Sequence, residues 1–263
     1  MLDRTMRGRV ALVTGAGPGI GRATAQAFAE DGADVVVAAR RPEALASLAA
    51  EIADATGRRV LPMACDVKDV DACRRLVADT VRELGRIDAL VNVATHPFPR
   101  QRVVDFDWTS YGESLQLNVI GTMTLCGEAA RRMVETGGGG IVNIGTLSTT
   151  AFIPKNSEYS STKAAMIAMS KTMAREMGRH GVRVNVVTPG FTTGEPLDRL
   201  MAQLAAGAGI TPEAMSERAA KEAALQRHVD PEDIAEACLY LCSERARNVT
   251  GVELHVTAGA IVM

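Results

Sequence analysis

The stretch from Val10 to Gly21, VALVTGAGPGIG, decides the fold. Its first four residues are all apolar, which is typical of a strand buried on both faces of a parallel sheet. The glycines that follow permit a tight turn, and a helical pattern runs from Gly19 to Asp31. A strand, a glycine loop and a helix in this order let backbone N–H groups approach a phosphate at the helix N-terminus. The stretch therefore predicts a nucleotide-binding site.

Strand and helix patterns alternate along the rest of the chain. Further strands are predicted at 34–39, 60–64, 87–91, 141–144, 182–187 and 252–256. Helices are predicted at 42–55, 69–84, 108–135, 159–179, 196–206, 212–223 and 231–243. The glycines at 137–140 run from a helix into a strand, so they indicate a helix end and turn rather than a phosphate loop.

This alternation predicts an α/β fold: one Rossmann-type, doubly wound parallel sheet of about seven strands with helices on both faces. Ligands of such sheets bind at the carboxyl ends of the strands. We expect residues 1–263 to form a single dinucleotide-binding catalytic domain. Residues 191–227, with several apolar side chains punctuated by Pro and Gly, are expected to form a substrate lid inserted in it. The alternative is that these side chains only pack the two lid helices onto the body.

The composition excludes several classes of protein. With 263 residues, 47% of them hydrophobic, the chain can bury a large core. A net charge of -2 and 3% aromatic residues argue against a nucleic-acid or membrane partner. No apolar run is long enough for a membrane span, and Met1 to Arg9 has no signal-peptide core. The five cysteines lack metal or disulfide spacing, so we expect no metal site and a cytoplasmic location.

Tyr159 and Lys163 form the candidate catalytic pair. Four residues apart on a predicted helix, they share a face one turn apart. An ammonium group at ~4 Å, with an effective dielectric of ~20, favours the phenolate by about 4 kcal/mol. Such a pair suits general acid/base chemistry near neutral pH.

Further motifs occupy strand ends and helices in a fixed order. They are TGxxxGIG from Thr14 to Gly21, Asp66-Val67, Asn92 to Thr95, Asn118 within LNVIG, YxxxK from Tyr159 to Lys163, Pro189-Gly190, and PEDIA from Pro231 to Ala235. In this order and spacing, the chain resembles the short-chain dehydrogenase/reductase family over nearly its whole length.

The resemblance implies catalytic roles. Tyr159 is the general acid/base of a hydride transfer between a ketone and a secondary alcohol, and Lys163 lowers its pKa and holds the nicotinamide ribose. Asn118 fixes a water beside Lys163. A second interpretation, compatible with the first, is a helix kink with a satisfied side chain. The family serine lies thirteen residues before the tyrosine, where this chain has Thr146. Thr146 keeps the hydroxyl that polarises a carbonyl, and Ser148 is the alternative.

The resemblance also implies the cofactor site. It comprises Gly15, Gly17, Gly19, Ile20, Gly21, Arg40, Arg41, Asp66, Val67, Asn92, Ala94, Tyr159, Lys163, Pro189, Gly190 and Thr192. Ala39 stands where an acidic residue would bind the ribose 2′-hydroxyl, and two arginines follow it. We therefore expect NADP(H) to be preferred, with NAD(H) possible. Thr95 replaces the family glycine and puts a side chain near the cofactor.

The substrate is expected to be a small, hydrophobic carbonyl compound or alcohol. Ser148, His96, Phe191 and Met201 are the candidate substrate contacts. One alternative is a 3-oxoacyl-thioester reductase acting on acyl carrier protein or CoA substrates, with Arg199 and Arg218 as weak support. Another is a non-catalytic nicotinamide-cofactor-binding sensor or scaffold. By analogy with the family, the chain is expected to form a homotetramer or a dimer.

Overall fold

Parallel strands form the centre of the molecule. A computed structural model describes residues 6–261. The strands are β1 (Val10–Thr14), β2 (Asp34–Ala39), β3 (Val60–Ala64), β4 (Ala89–Asn92), β5 (Gly139–Ile144), β6 (Val182–Pro189) and β7 (Glu253–Val256). Residues 1–5 and 262–263 lie outside the described residues. The predicted single domain, 1–263, and the N-terminal stretch from Met1 to Arg9 therefore lie partly outside them as well.

Within residues 6–261 the strands form one seven-stranded sheet in the order β3-β2-β1-β4-β5-β6-β7. Every neighbouring pair is parallel. The order reverses between β1 and β4, where the chain crosses from one half of the sheet to the other. This confirms the predicted doubly wound sheet and puts its switch point directly beside the glycine loop.

Helices cover both faces of the sheet. They are α1 (Ile20–Glu30), α2 (Pro42–Thr56), α3 (Val70–Leu84), α4 (Trp108–Leu115), α5 (Thr122–Glu135), α6 (Ser148–Ala151), α7 (Ser157–Met177), α8 (Glu195–Ala208), α9 (Pro212–Lys221) and α10 (Pro231–Cys242). One core cluster joins the sheet to α1, α2 and α10, and another joins it to α3, α5 and α7. Burial on both faces explains why the strands are continuously apolar.

The helix predicted over 108–135 is interrupted. A π-helical turn, Gln116–Gly121, separates α4 from α5, and the Thr122 N–H reaches back to the Leu117 carbonyl. At Gly121 the helix meets the loop after β3: a Cβ there would lie 2.9 Å from the Val67 carbonyl carbon. The glycine thus permits close packing, and the turn that precedes it inserts one residue into the helical ladder.

Residues 191–227 lie between β6 and α10 and contain α8 and α9, which pack against each other. Gly194, with φ 118°, precedes α8, and Gly209, with φ 68°, ends it. The far end of the segment is tied back to the C-terminal residues, because Leu225 N–H donates to the Ala258 carbonyl over 2.9 Å.

The cysteines of the chain are buried free thiols. Cys238 and Cys242 lie on the inward face of α10, in the same core cluster as α1. None of the helices within residues 6–261 combines the length and the apolar character needed to cross a bilayer.

Candidate active site

A cleft of about 700 Å³ opens at the carboxyl ends of the strands. Its walls come from the glycine loop after β1 and from the segments that follow β2, β3, β4, β5 and β6. The expected cofactor residues that line it are Gly15, Gly17, Gly19, Ile20, Gly21, Arg40, Arg41, Asp66, Val67, Ala94, Tyr159, Lys163, Pro189 and Thr192. Residues far apart in sequence therefore converge at the edge where open α/β sheets bind ligands.

The glycines of the first loop do two different things. A Cβ on Gly15 would lie 2.6 Å from the Cα of Ala94, and a Cβ on Gly21 would lie 2.9 Å from the Gly15 carbonyl carbon. At Gly17 and Gly19, by contrast, no heavy atom of residues 6–261 beyond the chain neighbours lies within 4 Å of an added Cβ. Bare backbone beside the N-terminus of α1 is a cradle that fits a pyrophosphate.

Arg40 and Arg41 follow β2 at the rim of the cleft. Both are exposed, and neither makes an ion pair within the described part of the chain. Arg41 also lines an adjoining cavity of about 320 Å³. Arg22 borders that cavity too, but its Nη1 donates to Glu51 Oε2 over 2.7 Å. Two guanidinium groups without a carboxylate partner fit a phosphate group at this place.

Tyr159 lies in the first turn of α7, and its half-buried side chain lines the cleft. The ring of Phe98 stacks on it, with centroids 4.8 Å apart and an interplanar angle of 7°. Burial raises the pKa of Tyr159 above its ordinary value, while hydrogen bonding with Thr146 and with Thr95 lowers it by less. The phenol therefore holds its proton at neutral pH.

Lys163 lies one turn further along α7 and is 3% exposed. Its Nζ donates to the Ile144 carbonyl at the end of β5 over 2.8 Å and lies 5.9 Å from the centroid of the Tyr159 ring. Burial lowers the pKa of Lys163 to about 8. The expected depression of the Tyr159 pKa is not found, because desolvation of the phenolate dominates and the ammonium is directed at a carbonyl.

Asn118 lies in the π-helical turn and is 1% exposed. Its Oδ1 accepts from Thr95 Oγ1 over 3.3 Å and from the His96 N–H over 3.2 Å. Its Nδ2 donates to Thr162 Oγ1 over 3.0 Å. The satisfied side chain in an irregular helix matches the second interpretation of this residue, and its part in a proton relay stays a prediction.

Thr146 and Ser148 are both buried, yet they face different partners. The Thr146 hydroxyl interacts with the Tyr159 phenol, and it also accepts the Ser148 N–H over 3.2 Å. The Ser148 hydroxyl accepts from Asn156 Nδ2 over 3.2 Å. Thr146 is therefore the hydroxyl beside the phenol, whereas Ser148 is held by a neighbouring amide.

Two expected cofactor residues are not among those of residues 6–261 that line the cleft. Asn92 lies within the sheet, where its Oδ1 accepts from Thr14 Oγ1 over 3.0 Å and its Nδ2 donates to Asn143 Oδ1 over 2.8 Å. Gly190 lies against the C-terminal segment: a Cβ there would be 2.8 Å from the Cα of Thr257. Asn92 and Gly190 therefore pack behind the wall of the cleft and do not line it.

Three expected substrate contacts also lie away from the cleft. Among the described residues, Ser148, Phe191 and Met201 are absent from its lining. Met201 faces inward from α8 into a separate cavity of about 580 Å³, which it shares with residues of α9. Phe191 packs edge-on against His228, with ring centroids 6.3 Å apart. Met201 thus packs between the two helices of the segment and Phe191 packs beyond its end, which the sequence pattern could not distinguish from a substrate wall.

His96 does line the cleft, and both of its ring nitrogens have partners. Nε2 lies 3.1 Å from Glu113 Oε2, and Nδ1 lies 3.3 Å from Ser114 Oγ. Thr192 lines the opposite wall, with its hydroxyl donating to the Gly190 carbonyl over 3.1 Å.

A buried carboxylate next to the tyrosine was not foreseen. Glu158 is 1% exposed and accepts from Ser110 Oγ over 3.0 Å and from Ser114 Oγ over 2.5 Å. These bonds fix the first turn of α7, and with it Tyr159, against α4. The helical period could have signalled an inward-facing Glu158, but its serine partners lie more than forty positions away. Leu117 and Ile144, which also line the cleft, carry no sequence signal of their own.

Within residues 6–261, no group of three or more His, Cys, Asp or Glu side chains is placed to hold a metal ion.

Comparison with known proteins places this site in a family. A family profile described as enoyl-(acyl carrier protein) reductase matches residues 15–260. The A-factor type gamma-butyrolactone 1'-reductase (1S-forming) of Streptomyces virginiae is 36% identical over 100% of both chains.

Two solved structures have the same fold. The L-sorbose reductase of Gluconobacter frateurii, complexed with NADPH and L-sorbose, superposes with a TM-score of 0.93 at 28% identity over 100% of both chains. An NAD+-bound xylitol dehydrogenase gives a TM-score of 0.90 at 28% identity, covering 97% of this chain and 99% of that one. The chain therefore belongs to the short-chain dehydrogenase/reductase family and is an oxidoreductase that acts on CH–OH or carbonyl groups.

Proposed function

We propose that the protein is an NADP(H)-dependent oxidoreductase that interconverts a hydrophobic ketone and its secondary alcohol, with Tyr159 as the general acid/base. The observation that carries the proposal is the Tyr159 phenol at the cleft, stacked on Phe98. Buried Lys163 lies one turn away on the same helix.

In the direction of reduction, Tyr159 gives its proton to the carbonyl oxygen. Its raised pKa keeps that proton in place at neutral pH until the oxygen becomes basic. The Thr146 hydroxyl donates to the same oxygen as negative charge develops on it. When bound, the nicotinamide supplies the hydride, or accepts it in the reverse direction. In that reverse direction Tyr159 must first lose its proton, so oxidation of the alcohol requires a higher pH.

The cofactor would be held by the bare backbone at Gly17 and Gly19, by Asp66 and Val67 after β3, and by Lys163. The preference for NADP(H) over NAD(H) rests on Arg40 and Arg41, which are exposed at the rim without an ion-pair partner among residues 6–261. The relatives support the use of either dinucleotide, since one solved structure holds NADPH and another NAD+.

Residues 1–263 act in this proposal as one catalytic domain, and residues 191–227 as the lid. Thr192, Thr193 and Pro196 line the cleft from the start of this segment. Gly194 and Gly209, both with positive φ, bracket α8 and provide the bends about which it moves. The apolar walls formed by Leu117 and Ile144, with the Phe98 ring stacked on Tyr159, suit an apolar substrate.

A 3-oxoacyl-thioester substrate on an acyl carrier is the weaker candidate. The family profile bears a carrier-protein name, which favours it. An acidic carrier, however, needs free basic residues beside the lid. Arg199 is paired with Glu195, with Nη2 and Oε1 2.6 Å apart, and the same helices carry Asp198, Glu213 and Glu217.

Assembly into a homotetramer, or a dimer, is part of the proposal. Three large apolar side chains are exposed along α4, the π-helical turn and α7: Trp108 at 68%, Ile120 at 48% and Met169 at 44%. Pairing of these helices between subunits would cover them. Light scattering after size exclusion gives the mass that decides between monomer, dimer and tetramer.

Substitution Tyr159→Phe tests the proposal. It keeps the ring that stacks on Phe98 and removes the proton donor, so we expect turnover to fall by about 10²–10⁴-fold. The assay follows nicotinamide absorbance over a panel of ketones and alcohols, with NADPH and NADH in parallel. NADPH affinity, measured by fluorescence titration, should stay within a few-fold of the original protein.

The matched control is Tyr240→Phe, since Tyr240 is a 42% exposed tyrosine on α10. Its activity should equal that of the unsubstituted protein. Undiminished turnover by Tyr159→Phe would refute the role of the phenol. Failure of the whole panel, with NADPH still bound, would favour the non-catalytic sensor instead. Tighter binding of NADH than of NADPH would contradict the role of the two arginines.

A further inference from the structure

Both ring nitrogens of His96 are engaged by the protein itself. The residue follows β4, its side chain is 12% exposed, and it lines the cleft. Nε2 lies 3.1 Å from Glu113 Oε2, and Nδ1 lies 3.3 Å from Ser114 Oγ. A polar contact between this ring and a substrate would therefore break one of two existing hydrogen bonds.

The Ser114 hydroxyl continues the contact to a buried carboxylate. Its Oγ donates to Glu158 Oε1 over 2.5 Å, and the two residues are 0% and 1% exposed. A serine hydroxyl has one proton, so the lone pairs of the same oxygen accept the proton of His96 Nδ1. A continuous chain of hydrogen bonds thus runs from the wall of the cleft, through α4, to the residue before Tyr159.

The Glu158 carboxylate depends on this chain. Within residues 6–261 its side-chain hydrogen-bond partners are the hydroxyls of Ser110 and Ser114. A buried carboxylate needs such donors, because burial of an unpaired charge is costly. The backbone carbonyl of Glu158 accepts from Thr162 Oγ1 over 3.1 Å within α7. Bonds to the carboxylate therefore hold the turn of α7 that carries Tyr159.

The loop after β4 also reaches Tyr159 by a second path. Phe98, two residues after His96, stacks on the Tyr159 ring with centroids 4.8 Å apart. The backbone of the loop is itself anchored, because the His96 N–H donates to Asn118 Oδ1 over 3.2 Å. Tyr159 is thus held at the face of its ring by Phe98 and along the backbone by Glu158. His96 lies where the two paths meet.

We propose that His96 is a positioning residue that fixes Tyr159 through Ser114 and Glu158, and that it is not a polar contact for the substrate. The inference rests on the proposed role of Tyr159 as general acid/base. Proton transfer depends steeply on the distance and angle between donor and acceptor. Loss of this support should therefore slow turnover without weakening the binding of substrate or dinucleotide.

Two substitutions separate the two nitrogens of the ring. The amide nitrogen of asparagine can take the place of Nδ1, and that of the longer glutamine the place of Nε2. His96→Asn keeps the donor towards Ser114, so kcat should stay within about threefold of the original value. His96→Gln keeps only the contact with Glu113, so kcat should fall by about tenfold while KM and NADPH affinity change little. Steady-state kinetics and fluorescence titration measure these values.

Substitution of Ser114 tests the path from the ring to the carboxylate. Ser114→Ala breaks the same chain and should lower kcat by about tenfold. Combined with His96→Gln it should cost no more than either substitution alone, because both remove one interaction. The control is His180→Gln, an exposed histidine just beyond the end of α7, whose kinetics should match those of the unsubstituted protein.

A fluorine signal reports the position of the Tyr159 ring without turnover. The chain has three tyrosines, so labelling with 3-fluorotyrosine gives three resonances, and the one missing in Tyr159→Phe belongs to Tyr159. Its chemical shift depends on the stacked ring of Phe98. We expect it to move in His96→Gln and in Ser114→Ala, and to stay in place in His96→Asn.

Each outcome decides the proposal. A loss in His96→Gln that appears in KM rather than in kcat would make His96 a substrate contact and overturn it. An equal loss in His96→Asn, additive losses in the double variant or an unmoved Tyr159 resonance in Ser114→Ala would also overturn it. If Ser114→Ala does not fold, His96→Gln breaks the same chain at a residue on the wall of the cleft. Undiminished turnover by Tyr159→Phe refutes the proposed function, whereas the fluorine shifts still decide whether His96 holds the ring.

Discussion

At the glycine-loop end of the cleft, Gly17 presents bare backbone and Arg41 is exposed. At the Tyr159 end, Lys163 and Asn118 are 3% and 1% exposed, and each is held by hydrogen bonds. The first end is built from one continuous segment and the end of the next strand. The second is assembled from the loop after β4, the π-helical turn, the end of β5 and α7.

In the proposed function, the two ends of the cleft perform two different tasks. A backbone cradle recognises the shape and charge of its ligand, so ligand binding is weakened when a side-chain atom is added to it. A buried cluster of polar side chains sets the pKa of the group that transfers a proton, so proton transfer is impaired when a hydrogen-bonding atom is removed. Substitutions at the two ends should therefore differ in what they damage.

After Tyr159→Phe, the largest effect is expected from removal of the hydroxyl beside the phenol. In the proposed mechanism Thr146→Ala removes the donor to the developing negative charge, so kcat should fall by about 10²–10³-fold. KM should change little, because the interaction strengthens mainly in the transition state. Steady-state kinetics on any ketone that the protein reduces would measure both values.

Ser148→Ala is the matched comparison, since Ser148 is equally buried and its hydroxyl is held by Asn156. We expect its kcat to stay within a few-fold, and Thr146→Ser to recover most of the loss. An equal fall in kcat for Ser148→Ala would mean that the hydroxyl two residues further on does the polarising, contrary to the geometry.

Adding a methyl group at the other end should separate packing from binding. Gly15 has φ 70°, and a Cβ there would lie 2.6 Å from the Cα of Ala94. Gly15→Ala combines a left-handed backbone with overpacking and should lower the free energy of unfolding by about 3 kcal/mol. Gly17→Ala meets open space, so it should leave stability within about 0.5 kcal/mol and weaken dinucleotide binding by about tenfold.

Denaturant unfolding and cofactor titration of the two variants decide the point. A loss of stability in Gly17→Ala would show that a methyl group at this position meets neighbouring atoms. Binding that remains intact in Gly17→Ala would show that the dinucleotide does not approach this part of the backbone.

The glycine-loop end could be predicted from sequence because its determinants are local. From Val10 to Gly21 the order of strand, loop and helix fixes both the sheet and the cradle, and the structure confirms the predicted doubly wound fold. Element bounds shifted by a few residues at most, except where the helix over 108–135 is broken by a π-helical turn. That turn depends on packing of Gly121 against the loop after β3, and this contact is not encoded in periodicity.

The Tyr159 end could be predicted only in part. The positions of Tyr159 and Lys163 followed from spacing, but the pKa of Tyr159 did not, because desolvation depends on residues from other segments. Phe191 and Met201 are predicted substrate contacts, but in the structure Phe191 packs against His228 and Met201 lines the cavity beside α9. Hydrophobicity indicates that a side chain is covered, but not by what.

The smallest effect concerns the charge that this end buries. Burial lowers the pKa of Lys163 from 10.5 to about 8. Below pH 8 the amine is protonated in both the folded and unfolded states, so burial of its charge destabilises the folded protein to the full extent. Between about 8 and 10.5 the unfolded chain binds a proton that the folded one has released, so the contribution of Lys163 to stability rises with pH. The gain across this window is at most about 3 kcal/mol.

Lys163→Met removes the titrating group and keeps an unbranched side chain, so this rise should vanish and the variant should be relatively most stable at neutral pH. Lys171→Met is the control, because Lys171 lies on the same helix with its side chain 48% exposed, paired to Glu253 over 3.4 Å. Its unfolding free energy should run parallel to that of the original protein, since exposed pairs contribute little. Urea unfolding between about pH 7 and 9.5 measures the two slopes. Burial also raises the pKa of the thiols of Cys126 and Cys242, which lowers stability with rising pH in both variants, so the difference in slope between Lys163→Met and Lys171→Met isolates the lysine. Equal slopes in the two variants would mean that the pKa of Lys163 in the folded protein is close to that of a solvated lysine. The difference in burial between the two ends of the cleft would then have no effect on the ionisation of Lys163.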